Sequence, residues 1–163
     1  MTILLGDINF KILPEAFHKM QDYIQDNDTK KEAGGILLGY CLDENNFIII
    51  EVTIPNKEDK RSRYSFLRAN VLHQRFLNRL FKKSNGKSIY LGEWHTHPED
   101  FPTPSELDRK SIVDQIRKSK LNSDKIFALI MGRKGLHLIL VNKDGLVFER
   151  PLRFEELSSS IQF

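Results

Sequence analysis

The chain reads His95-Thr96-His97-Pro98, then six residues, then Ser105-Glu106-Leu107-Asp108, so two imidazoles, a hydroxyl and a carboxylate fall within fourteen positions. Imidazole nitrogen and carboxylate oxygen are the donors of a catalytic zinc that takes three protein ligands and leaves one position open for water. A lone H-x-H is a weak signal, and the full string is a strong one. The preceding Ser88-Ile89-Tyr90-Leu91-Gly92-Glu93-Trp94 is rich in aromatic and β-branched residues and predicts a strand running into His95. Side chains alternate along a strand, so His95 and His97 project from one face, about 7 Å apart at ~3.3 Å per residue, within reach of one ion.

Pro98, Pro102 and Pro104 then forbid regular structure until a helix begins. Thr103-Pro104-Ser105-Glu106 has the T-x-x-E spacing of a capping box with proline at the first helical position, so Thr103 is the expected cap. Ser105 and Asp108, three apart on one helical face, are then free to point at the metal. The rival arrangement makes Ser105 the cap and Asp108 its reciprocal partner. A hydrolytic site also needs a base outside the ligand shell. Glu93 shares a strand face with the histidines, and Glu32 precedes the glycine-flanked apolar run Gly34-Gly35-Ile36-Leu37-Leu38-Gly39. The residues alone leave both open.

These positions resemble the signature of the JAB/MPN (JAMM) metalloisopeptidases, an upstream glutamate followed by H-x-H-P, six residues and S-x-x-D. The resemblance runs from about Leu5 to about Val147 and implies one three-layer α/β domain, a mixed β-sheet flanked by helices. It implies Glu32 as the base, His95, His97 and Asp108 as ligands of Zn2+, and Ser105 as the group that steadies the oxyanion. The string from Tyr90 to Asp108 and the short chain further resemble the bacterial stand-alone JAB deconjugases of CBASS anti-phage systems. That likeness implies an isopeptidase acting on the C-terminal tail of a conjugated cGAS-like nucleotidyltransferase or ubiquitin-like protein. Two rival expectations are a peptidase that processes a ubiquitin-like or sulfur-carrier precursor or a phage peptide, and a non-catalytic MPN scaffold. The scaffold is disfavoured because all five signature groups are present.

Composition agrees with one domain over residues 1–154 and a loose C-terminal tail at 155–163, whose Ile161 and Phe163 could dock on a partner, since 163 residues with 40% hydrophobic content suffice for a single core. The 25 Lys and Arg against 22 Asp and Glu make a nearly balanced surface, and no basic stripe or aromatic RNA-binding motif points to nucleic acid. No apolar run approaches eighteen residues and the N-terminus lacks a signal-peptide pattern, so no membrane and a cytoplasmic location are expected. Cys41 is the only cysteine, which excludes an internal disulfide and a cysteine-cluster metal site. Its apolar setting predicts a buried small hydrophobe. A zinc nucleobase deaminase is excluded because H-x-E with P-C-x-x-C is absent.

Periodicity predicts a strand near Ile3 to Ile12, a helix from about Pro14 to Asp26, and strands at Gly35 to Leu42 and Phe47 to Ile54. The charged, apolar-free segment Pro55 to Arg63 predicts a loop or flap. A helix near Ala69 to Lys83, the metal strand, a helix ending near Ser119, and strands at 126–131, 136–141 and 146–150 complete the order. His18, His73 and His137 lack a second ligand at metal spacing and are read as surface or structural. Trp94, alternating with His95, is expected in the core.

Overall fold

The computed structural model describes residues 1–158. Its first elements are β1 (Thr2–Leu5), β2 (Ile8–Ile12), α1 (Pro14–Gln21), β3 (Gly34–Cys41) and β4 (Asn46–Val52). A small hairpin follows, β5 (Lys60–Ser62) and β6 (Ser65–Leu67), then α2 (Asn70–Lys83), β7 (Ile89–Thr96) and α3 (Glu106–Lys118). The chain closes with β8 (Ile126–Met131), β9 (Gly135–Asn142), β10 (Gly145–Arg153) and α4 (Phe154–Ser158).

Eight strands make one sheet in the order β1-β2-β4-β3-β7-β8-β9-β10, parallel at β2/β4 and β7/β8 and antiparallel elsewhere. Alternation along these strands divides the core in two. Phe10, Phe47, Leu91, Trp94 and Phe127 face α1 and α4, whereas Ile36, Tyr90 and Ile130 face α2 and α3 through Phe76, Leu80, Ile112 and Ile116. The architecture is therefore the expected three-layer α/β arrangement with helices on both faces of a mixed sheet. The sheet curls enough for Arg150 of β10 to donate to the Leu4 carbonyl of β1 at 3.1 Å.

Several expectations change in detail. The single opening strand is a tight hairpin, with Leu5 paired to Ile8 and Gly6 at φ +60°, a conformation glycine adopts without penalty. Helix α1 stops at Gln21, because the following Asp26-Asn27-Asp28 are poor helix formers and Gln25 turns inward. The expected flap is ordered as a separate two-stranded sheet, β5 and β6. Cys41 is exposed, correcting its expected burial, because the end of β3 runs past the core. Order also extends into the segment expected as a loose tail, where α4 buries Leu157. Ile161 and Phe163, expected as docking residues of that tail, lie outside the described residues.

Strand β7 carries a break in its alternation. Gly92 sits at φ +136°, and a Cβ there would meet the Phe127 carbonyl oxygen at 1.8 Å. The register with β3 shifts at this point, which puts Tyr90 and Glu93 on the same side of the sheet as His95.

Candidate metal centre and active site

Downstream of Gly92 the strand alternates as expected. Trp94 and Thr96 turn into the α1 face, where the Trp94 indole N–H donates to the Thr53 carbonyl at 2.9 Å, and His95 turns to the other side. His97 follows the last strand residue, and its backbone N–H donates to the Met131 carbonyl at 3.0 Å, prolonging the pairing with β8. Asp108 comes from the first turn of α3.

The three side chains converge. His95 Nε2 lies 3.1 Å from His97 Nε2 and 3.3 Å from Asp108 Oδ1, and His97 Nε2 lies 3.6 Å from Asp108 Oδ2. Tetrahedral zinc with bonds of 2.0–2.1 Å places its ligand atoms about 3.3–3.4 Å apart, so the spacing and the donor set both fit such an ion. Among the described residues these three form the cluster able to hold a metal. Burial would raise the Asp108 carboxyl, but hydrogen bonding and charge from His95, with the Ser105 hydroxyl and N–H, outweigh it and hold the group well below the usual carboxylate range. Burial, reinforced by the nearby His95, lowers the pKa of His97 and so favours the neutral form that coordinates metals.

The cap of α3 is Ser105, which corrects the expectation of Thr103. Ser105 Oγ accepts from the Asp108 N–H at 3.1 Å, while its own N–H and hydroxyl each donate to Asp108 Oδ2 at 2.7 Å. Asp108 at the third helical position closes a complete capping box, which Thr103 cannot match because its N–H is taken by Glu99 Oε2 at 2.9 Å. Of the two rival arrangements the second holds, and Asp108 still reaches the metal cluster from it. Asp108 caps the helix through Oδ2 and presents Oδ1 to His95.

The two glutamates are also separated. Strand β3 pairs with β7 so that Gly34 lies opposite His95, and the Thr96 N–H donates to the Ala33 carbonyl at 2.8 Å. Glu32 therefore stands beside the ligands, only 7% exposed. Burial pushes its carboxyl up to about 7, with His95 pulling it down and Asp108 and Glu99 raising it. Glu93 is engaged elsewhere, since its Oε1 accepts from Arg68 Nη2 at 2.6 Å and from the Tyr90 hydroxyl at 3.1 Å. Glu32, the three metal-cluster residues and Ser105 line one open groove of about 800 Å³ bordered by Phe66 and Leu67 of β6.

Other residues take structural places. His73 is buried and holds Asp59, Asn56 and Thr53 together, and His137 lies 3.6 Å from Glu149. Asp100, near the site, pairs with Arg133 and Lys134. Sequence reasoning missed Gln25 and Arg68, did not single out Thr96, and read Arg61 only as a charge of the loop. Their partners are 25 to 71 residues distant, and no local spacing announces them.

A curled mixed sheet carrying a His-His-Asp cluster with an upstream buried glutamate defines a class, the metal-dependent JAB-type domain. Residues 18–151 match the model of the prokaryotic homologs of the JAB domain, and the chain belongs to that family. A protein of Escherichia coli named CD-NTase/cGAS isopeptidase is 38% identical over 130 residues, 80% of this chain and 80% of that protein. One of Vibrio cholerae with the same name is 34% identical over 138 residues, 85% of this chain and 80% of its own length. A solution structure of a Desulfitobacterium hafniense protein shares the fold, with a TM-score of 0.60 at 20% identity, over 86% of this chain and 89% of that one.

Proposed function

We propose that this protein is a zinc-dependent isopeptidase that hydrolyses the amide joining the C-terminus of a conjugated protein to a target amine. The observation that carries this reading is the convergence of His95, His97 and Asp108 with the buried Glu32 in one groove. Relatives bear the name CD-NTase/cGAS isopeptidase, and with the resemblance to the CBASS deconjugases that name supports a CD-NTase, joined through its C-terminal tail, as the conjugated protein and anti-phage defence as the setting.

Zinc held by His95, His97 and Asp108 would lower the pKa of a water in its open position toward ~7 and polarise the scissile carbonyl. Glu32, buried beside the three ligands, is the carboxylate placed to accept that proton and hand it to the departing amine, a lysine ε-amine in an isopeptide. Ser105, at the positive end of α3, gives its hydroxyl proton to Asp108 Oδ2 in this structure and would turn it to the oxyanion as negative charge develops there.

The tail adds as a strand along β6, which among the described residues pairs only with β5 and borders the groove. Arg61 is engaged with the Glu32 and Lys31 carbonyls, and Arg63 with Asp28 and the Asn27 carbonyl, so the tail is not gripped by these two side chains. Tyr64 and Leu67, 74% and 62% exposed, are the side chains of the hairpin left to grip it.

The test is incubation with CD-NTase conjugates and with ubiquitin-like fusions, with and without chelator, comparing wild type with Glu32→Ala. Release of the CD-NTase by zinc-loaded wild type alone supports the reading. Cleavage that survives chelation or the substitution overturns it, and cleavage of the linear fusions alone replaces deconjugation with precursor processing.

A further inference from the structure

Between the glutamate and the histidine pair lies a buried polar bridge that the reaction as described does not use. Gln25, fully buried beyond the end of α1, accepts from the Thr96 hydroxyl at 3.0 Å and donates from Nε2 to the Arg63 carbonyl at 2.8 Å and the Lys30 carbonyl at 3.2 Å. The Thr96 hydroxyl, equally buried, accepts in turn from the Ala33 N–H at 3.0 Å. Thr96 stands between the two ligand histidines, Ala33 is the neighbour of Glu32, and Arg63 lies in the turn of the β5–β6 hairpin. From the outside the same hairpin grips the glutamate's main chain. The Glu32 N–H donates to the Ser62 carbonyl at 2.8 Å, and Arg61 Nε donates to the Glu32 carbonyl at 2.6 Å.

The chemistry of this bridge is specific. Both Gln25 donors, its oxygen and both roles of the Thr96 hydroxyl are satisfied, in a place where an unpaired group costs about 1–3 kcal/mol. A network so filled has one arrangement. We propose that Gln25, Thr96 and Arg61 are positioning residues, which set the distance from Glu32 to the His95/His97 pair and tie that distance to the hairpin bordering the groove. This rests on the hydrolytic reading above. Proton transfer requires the carboxylate within hydrogen-bond reach of the reacting water, and misplacement by about 1 Å costs on the order of a hundredfold in rate.

Thr96→Val keeps the shape and removes the hydroxyl, leaving the Ala33 N–H and Gln25 oxygen unpaired, whereas Thr96→Ser restores both bonds. Zinc-loaded wild type, both variants and Glu32→Gln are compared on a lysine isopeptide of a CD-NTase tail. The readouts are kcat, KM, the pH profile, zinc stoichiometry and the hydrogen-exchange rate of the Ala33 amide. The expected result is a kcat lower by about ten- to a hundredfold for Thr96→Val, with KM little changed, full zinc, a displaced acid limb and a faster-exchanging Ala33 amide. Thr96→Ser is expected to behave as wild type.

The inference is overturned if Thr96→Val keeps wild-type kcat and pH profile, if its activity falls only in step with zinc, or if Thr96→Ser is equally impaired. Should Thr96→Val fail to fold, Arg61→Met on the outer hairpin gives the same reading. A lower kcat with full zinc supports the inference, and an unchanged kcat overturns it. A wild type that cleaves nothing defeats the hydrolytic reading instead, and Ala33 exchange in the variants then decides whether the bridge holds the segment.

Discussion

Glu32 meets two opposed demands, since burial disfavours its charge while proton acceptance requires it. In the metal-free protein its carboxyl is raised from 4.5 to about 7. Between those values the folded chain holds a proton there that the unfolded chain has released, so this group's contribution to stability is present below pH ~4.5 and lost as pH rises through ~7. His97, lowered by burial, acts oppositely just below its ordinary 6.5, so the total slope mixes both. Their difference can be isolated. Relative to wild type, apo Glu32→Gln should gain stability steadily from pH 4.5 to 7, read from urea midpoints, and a constant offset would show that Glu32 does not titrate there. Ser105→Ala carries two separable losses. Removing the cap costs about 1 kcal/mol of stability, and removing an oxyanion donor costs about 3 kcal/mol of barrier. Thr103→Ala, which touches neither, should match wild type in both midpoint and kcat.

At the scale of elements, legibility followed the range of the interaction. The H-x-H-P and S-x-x-D strings could be read because their geometry is set within one strand and one helical turn. The cap was misplaced because Thr103-x-x-Glu106 and Ser105-x-x-Asp108 present the same local pattern two residues apart. Asp108 decides between them through contacts to the histidines of another element. Glu32 could not be told from Glu93 on local grounds, since the pairing of Gly34 with His95 joins segments some sixty residues apart. Gln25 was illegible for the same reason. The β7 bulge left only one trace, a glycine inside an apolar strand. Gly92→Ala should therefore cost more than about 3 kcal/mol, combining a left-handed backbone with a collision against Phe127. A denaturation midpoint near that of wild type would show that the register slips without penalty, and the account of how Tyr90 and Glu93 come to share a face would fail.

At the scale of the whole molecule, the metal centre joins layers that the chain connects by an irregular, proline-rich path. His95 belongs to the central sheet with His97 at its margin, and Asp108 belongs to α3 on one face. Between them Pro98, Pro102 and Pro104 interrupt regular hydrogen bonding, so a shared ion staples helix to sheet. An ion that binds only the folded state stabilises it by about 2.7 kcal/mol at a hundred times Kd and about 4.1 at a thousand. For a chain of this size, where 1 kcal/mol moves Tm by roughly 2–4 °C, saturating zinc should raise the midpoint by about 8–16 °C, and chelation should reverse the rise. Asp108→Asn and His95→Ala should abolish most of that increment, whereas Glu32→Gln, which leaves the ligand set intact, should keep it. The contrast matters more than the size of the shift, because it separates a residue that holds the ion from one that only works beside it. An equal zinc response in His95→Ala and wild type would place the bound metal elsewhere on the protein, and the reading of this groove as a metal centre would fall with it.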